Sequence, residues 1–264
     1  MHPVSIGACG WSYRDWLDVF YPKKLTSGQF LGFYAEKYQV VEVDSTFYHA
    51  PSQKTVEGWR NKTPPGFGFS LKVPQSITHE KILVDCQPEL ESFLAAARAL
   101  EEKLLCCVLQ FGYFNQSKFD SGEAFLERLL PFLDGWPVDV PAAVEIRNKT
   151  WITSAFLDRL RERKVIFVLT DQAWMPAPLS LVKNLNVVTG PHAYLRLLGD
   201  RNEVERLTEK LDRIVVDRTE QINLDAQAIR LMQQSVPVLV FVNNHFAGYT
   251  PETIRQLMEV LSNE

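Results

Sequence analysis

The feature that most constrains this chain is an alternation. Eight short apolar runs, at 4–9, 40–48, 67–73, 106–111, 142–147, 165–170, 193–198 and 236–242, have strand length and are separated by stretches that read as helix. The predicted helices cover 29–38, a segment that opens at Pro51-Ser52 and is stopped by Pro64-Pro65-Gly66, then 88–105, 121–133, 154–163, 203–214, 220–234 and a last one from Thr250-Pro251 to Leu261. Residues 172–192 read as a long loop with at most a short helix. Strand and helix alternating over about 250 residues with short connections predicts an α/β protein built on a closed parallel eight-stranded barrel, one domain over 1–264. An open doubly wound sheet is the structural alternative.

The totals agree. A chain of 264 residues with 46% hydrophobic content can bury a large core. A net charge of −4 does not argue for a nucleic-acid or membrane-surface protein, although a mild average can hide a local basic patch, and Lys23-Lys24 and Arg60-Asn61-Lys62 read as solvated surface. No apolar run is long enough to span a bilayer, and the N-terminus lacks the basic and apolar regions of a signal peptide, so a cytoplasmic protein is expected. None of Cys9, Cys86, Cys106 and Cys107 forms C-x-x-C, which fits reduced, packed thiols; Cys106 and Cys107 should face opposite sides of one strand.

Strand periodicity sorts the polar residues. Glu42 and Asp44 share one face of the second strand, opposite Val41 and Val43. Ser70 and Lys72, Glu145 and Arg147, and Tyr194 and Arg196 pair up in the same way. In a parallel barrel the C-terminal strand ends and their loops build the site. Those positions hold Glu42, Asp44, Lys72, Gln110, Glu145, Arg147, Asp171, Arg196 and Asn243, four carboxylates and three cations. Near-neutrality is what allows such a cluster to be buried. Aromatics collect on the same side: Trp11, Tyr13, Phe47, Tyr48, Trp151, Trp174, Phe246 and Tyr249. A polar floor with aromatic walls is the make-up of a small-molecule pocket. A purely structural ion-pair network is the competing reading.

The residues also resemble a known family. Gly10-Trp11-Ser12-Tyr13, Glu42-x-Asp44-Ser45-Thr46-Phe47-Tyr48, Lys72-Val73-Pro74 with Thr78-His79, Val144-Glu145-Ile146-Arg147 with Trp151, Arg196-x-x-Gly199 and Phe241-Val242-Asn243-Asn244-His245-x-x-Gly248 are together similar to the YecE-like (DUF72) family of domains of unknown function. The resemblance covers essentially the whole chain. It implies a single TIM-type (β/α)8 barrel in a soluble, mostly prokaryotic protein, and no established activity. Two departures stand out. Asp44 replaces the Asn that relatives often carry, which makes the cluster more acidic, and Gln110-Phe111-Gly112 replaces a Gln-x-Pro.

The expected chemistry is acid/base or hydrolytic work on a sugar-like or phosphorylated small molecule. Glu145 and Asp171 are the expected carboxylate pair, with Glu42 and Asp44 as second candidates and Lys72 as a further catalytic group. Lys72, Arg147 and Arg196 would hold an anionic group, the arginines bidentately. Trp11, Tyr13, Glu42, Asp44, Phe47, Tyr48, His79, Gln110, Arg147, Trp151, Arg196, Asn243 and Asn244 are the expected ligand-binding set. Two alternatives are a non-catalytic metabolite sensor and a metal-dependent hydrolase. Suitable metal ligands exist, including His79 and His245, but no H-x-H, H-E-x-x-H or Cys pair gives them ligand spacing. No G-x-x-x-x-G-K, G-x-G-x-x-G or G-x-S-x-G motif names a cofactor or an activated serine. Cys9 reads as core rather than as a nucleophile.

Overall fold

The computed structural model describes residues 1–263. Eight strands, β1 (Val4–Ala8), β2 (Val40–Val43), β3 (Gly68–Lys72), β4 (Leu104–Gln110), β5 (Ala142–Glu145), β6 (Ile166–Thr170), β7 (Ala193–Leu197) and β8 (Val238–Val242), pair in sequence order, all parallel, and β8 closes on β1. The predicted TIM-type barrel is present. Its helices are α1 (Phe30–Ala35), α2 (Gln53–Asn61), α3 (Gln87–Arg98), α4 (Gly122–Asp134), α5 (Ser154–Glu162), α6 (Pro178–Asn184), α7 (Arg201–Leu207), α8 (Thr219–Met232) and α9 (Thr250–Ser262). Among the described residues no helix is long and apolar enough to cross a membrane.

Alternation divides each strand between two cores. Cys9, Val40, Cys106, Val108, Ala143, Ile166, Val168, Tyr194, Leu239 and Phe241 pack together inside the barrel. Val41, Leu71, Cys107, Leu109, Val144, Phe167, Leu169 and Leu195 join the larger core beneath the helices. Cys106 and Cys107 therefore face opposite ways, as expected, and all four cysteines are free and buried.

The β1–β2 seam is unusual. It has a single residue pair, Ala8 with Val41. Tyr34 of α1 replaces the missing ladder, its hydroxyl accepting from Ala8 N at 2.7 Å and donating to Val40 O at 3.0 Å. Gly7 permits this approach, since a Cβ there would stand 2.0 Å from Val40 O.

Several boundaries differ from the sequence reading. The helix expected over 88–105 ends at Arg98. A 3-10 turn, Glu101–Lys103, follows, with Glu101 at φ 52°, and β4 begins at Leu104. Lys103 anchors the turn by donating to Arg60 O, Thr63 O and Thr63 Oγ1. The helix expected over 203–214 stops at Leu207. Ser52 caps α2 as predicted, but Thr250 is not a cap: Tyr249 holds that position, and the Thr250 amide donates to Asn244. Within 172–192 the one short helix is α6.

Candidate functional site

Because Val40 points into the lumen, Glu42 does too, and its carboxylate is fully buried. The same parity directs Glu145 (after Ala143) and Arg196 (after Tyr194) inward. These three make the floor. Arg196 donates through Nε and Nη2 to Glu42 Oε1 at 3.0 and 2.6 Å, through Nη1 to Glu145 Oε2 at 2.7 Å, and through Nη2 to Asp44 Oδ1 at 3.1 Å. Tyr194 Oη donates to Glu42 Oε2 at 2.6 Å. Arg147 pairs with Glu145 Oε1, and Lys72 Nζ lies 3.5 Å from Asp44 Oδ1. Three carboxylates meet three cations, which offsets the cost of burying any one of them.

The two deepest carboxylates are tuned apart. Burial raises the pKa of Glu145, but Arg147, Arg196 and Lys72 outweigh it and hold the group down at about 2. Glu42 is displaced upward, first by burial and then by the nearby Asp44 charge, against the pull of Arg196. At neutral pH Glu145 is thus a fixed anion, and Glu42 is the more easily protonated of the two.

The mouth lies above this floor. After β2 the chain turns in a 3-10 helix, Asp44–Phe47, that brings Asp44 and Phe47 over the lumen. Thr46 Oγ1 fixes the turn by contacting Val43 O at 2.8 Å and Lys72 O at 2.7 Å. Lys72 Nζ sits 4.5 Å from the Phe47 ring centroid, and His79 stands edge-on to that ring at 4.9 Å. His79 comes from a single π-helical turn, Ser76–Glu80, and its Nδ1 is 2.9 Å from Thr78 Oγ1. Burial, then the Lys72 and Arg147 charges, depress its pKa, so the imidazole is neutral at pH 7. Beside Asp44 a small cavity of about 140 Å³ is lined by Cys9, Trp11, Tyr13 and Ser45. A larger one of about 490 Å³ lies away from these charges, lined by Val4, Ile6, Tyr38, Gln39 and Met258.

Cys9, Glu42 and Asp44 bring potential ligand atoms within 4.8 Å of one another. They fit a metal poorly. Arg196 Nη2 already serves both carboxylates, and burial with the Glu42 and Asp44 charges drives the Cys9 thiol upward, away from the thiolate that a metal needs.

A family model described as "Protein of unknown function DUF72" matches residues 5–264. The chain belongs to the DUF72 family. The UPF0759 protein YunF of Bacillus subtilis (strain 168) is 25% identical over 283 residues, 99% of this chain and 95% of that one. The UPF0759 protein YecE of Escherichia coli (strain K12) is 29% identical over 145 residues, 55% of this chain and 48% of that one. Among solved structures, a DUF72 family protein from Thermotoga maritima aligns with a TM-score of 0.76 at 27% identity, covering 99% of this chain and 100% of that one. D-psicose 3-epimerase, solved in the presence of D-fructose, aligns at 12% identity with a TM-score of 0.53 over 98% of this chain and 96% of that one, a likeness of fold alone.

Within this DUF72 barrel the expected residues fall into two groups. Glu42, Asp44, Lys72, Glu145, Arg147 and Arg196 converge, with Phe47, Tyr48 and His79 at the rim and Tyr13 beside the small cavity. Asp171 does not join them. It follows the parity of Phe167 and Leu169 toward the helix layer, where its carboxylate accepts from Leu198 N at 2.5 Å and Gly199 N at 3.2 Å. Trp151 packs against Phe114, Phe119 and Phe125. Asn244 is buried, accepting from Trp16 Nε1 at 3.2 Å and Thr250 N at 3.0 Å. Asn243 caps the turn behind it by accepting from His245 N, and the Gln110 amide donates to Phe111 O. Trp11 lines the small cavity and also packs on Trp59 and Phe69.

Two contributors escaped the sequence reading of the site, Tyr194 and Cys9. Tyr194 shares the strand parity of Arg196, whereas Cys9, one residue past β1, has no expected site residue on its strand to point to it. Two family-pattern glycines also gain a reason: Gly199 (φ 62°) and Gly248 (φ 108°) adopt left-handed backbone where a Cβ would meet His245 O at 2.6 Å and Arg213 O at 2.5 Å.

Proposed function

We propose that the mouth of the barrel binds the anionic group of a small hydroxylated molecule, a sugar-like or phosphorylated compound, and performs acid/base chemistry on it. The observation that carries this reading is spare donor capacity on two adjacent cations. Lys72 has one carboxylate oxygen, at 3.5 Å, and an aromatic face as neighbours; Arg147 is paired through Nη2 and its buried Nε has no hydrogen-bond partner. An ammonium with open donors beside an under-used guanidinium is a phosphate or carboxylate receptor.

In this reading Glu145 and Arg196 are positioning groups. Glu145, ionised down to about pH 2 and fully buried, orients the two arginines and is poorly matched to proton transfer near neutrality. Asp44, 3.5 Å from Lys72, and neutral His79, which shares the Phe47 ring with Lys72, are the proton-transfer groups, and Lys72 is the electrophile that stabilises developing negative charge. Binding of inorganic phosphate and of glucose 6-phosphate, followed by calorimetry, tests the proposal. Native protein should bind at least one of them, and Lys72→Ala and Arg147→Ala should each weaken binding at least tenfold. Affinity unchanged in both variants would remove the basis of the reading.

A further inference from the structure

Among the described residues, the exposed Tyr, Trp and Phe side chains are Tyr48 (62% exposed), Tyr113 (74%) and Trp174 (53%). All three stand on loops at one end of the barrel. Tyr48 follows β2, Tyr113 follows β4 and Trp174 follows β6. Since the strands pair in sequence order, these loops are spaced at alternate positions over half the rim, with Tyr48 and Trp174 across the mouth from each other. Chance exposure would scatter aromatics over both ends and the helix layer, yet the other exposed large side chains away from the mouth are aliphatic or Met.

The surroundings decide what these rings meet. A protein interface would show a contiguous apolar patch. Here the rings are separated and interleaved with amides and hydroxyls: Ser45 beside Tyr48, Asn115, Gln116 and Ser117 beside Tyr113, and Gln172 beside Trp174. A polyanion would need a run of cations. Across the three loops the charges are Asp44, Lys118, Asp120 and Asp171, of which one is positive, and the cations set between them, Lys72 and Arg147, are recessed and lie against Asp44 and Glu145. Flat aromatic faces set among amide and hydroxyl groups, with little positive charge, match the C–H faces and hydroxyl edges of sugar rings.

We infer that the rim formed by Tyr48, Tyr113 and Trp174 is a docking surface for a carbohydrate chain lying across the barrel mouth. It goes beyond the anion site within the lumen and stands without it; if both hold, the substrate is one end of a longer glycan.

The test is affinity electrophoresis of native protein through gels containing hydroxyethyl cellulose, soluble starch, xylan or galactomannan, alongside Tyr113→Ala/Trp174→Ala and Lys72→Ala. Because the two rim residues are exposed, the double variant should melt at the native temperature, which confirms that it is folded. Retardation in at least one glycan, lost at least tenfold in affinity by the double variant and retained by Lys72→Ala, is the expected result. Trp174 is the one exposed tryptophan among the described residues, so the same glycan should also change native fluorescence and leave the double variant unchanged. Absence of retardation in all four gels, equal retardation of the double variant, or retention by single-stranded oligodeoxythymidylate alone would overturn the inference. Failure of phosphate binding with retained glycan binding would overturn only the anion site.

Discussion

Arg196 gives the sharpest test of the floor, because its removal has a calculable ceiling. In Arg196→Met an apolar side chain of similar volume replaces a guanidinium that is 2% exposed and makes four hydrogen bonds to carboxylates. Glu42 is left with Tyr194 and Glu145 with Arg147. Uncovering a buried charge in this way costs roughly 3–5 kcal/mol. Protonation sets the limit, since a carboxylate with an unfolded pKa near 4.3 can be neutralised at pH 7.5 for about 4 kcal/mol and at pH 5.5 for about 1.6 kcal/mol. Glu42, already displaced upward, is the group that takes the proton.

The sign follows. A carboxylate whose folded pKa is raised keeps its full contribution below the unfolded value and loses it as pH rises through the folded value. Native Glu42, itself displaced upward, carries part of the same pH dependence, so the deficit of Arg196→Met relative to the native protein should be at most about 4 kcal/mol at pH 7.5 and shrink by at most about 2–3 kcal/mol at pH 5.5. Glu145, held at about 2, titrates below this window in the native protein and does not blur the comparison. Reversible urea unfolding at the two pH values measures it, and adding Glu42→Gln should recover much of the loss at pH 7.5. A deficit under about 1 kcal/mol, or one equal at both pH values, would show that the carboxylates do not depend on Arg196.

Other perturbations separate roles that look alike. Asp171 is raised to about 6 by burial, against the Leu198 and Gly199 amides, so its contribution is complete below about pH 4 and lost as pH rises through 6. Asp171→Asn should accordingly gain on the native protein by about 2 kcal/mol between pH 4 and 7, measured by urea unfolding, with phosphate affinity unchanged. Asn244→Ala strips Trp16 and Thr250 of their acceptor and should cost about 1–3 kcal/mol, again without changing ligand affinity in calorimetry. Gly7→Ala should prevent folding or lower the melting temperature steeply, because its Cβ would overlap Val40 O, whereas Gly28→Ala, with nothing within 4 Å, should be neutral or nearly so.

What was legible in the sequence was mostly parity. A period of two placed Glu42, Glu145, Arg147 and Arg196 on one side of their strands, and closure of the barrel turned that side into a shared interior. The same rule excludes Asp171, which stands at a strand end but lies an even step from Phe167 and Leu169. Elsewhere the period ends before the decisive residue. His79 depends on a π turn, Asp44 and Phe47 on a 3-10 turn held by Thr46, and Trp151 on an aromatic cluster assembled by three separate segments. The α3–β4 boundary depends on Lys103 reaching carbonyls some forty positions away, which no local pattern encodes. The division has a functional side. Glu42, Glu145 and Arg196, placed by parity, are the paired, buried charges of the floor; Lys72 and Arg147, placed by the same parity at the strand ends, are only partly paired, and the turn-determined Asp44, Phe47 and His79 are the partly open groups at the mouth. The regular strands build a neutral ionic base and, at their ends, leave Lys72 and Arg147 with donors to spare; the turns after β2 and β3 add Asp44, Phe47 and His79 around those donors. On that argument, variation in ligand among relatives should follow the turns after β2 and β3 rather than the strand residues beneath them.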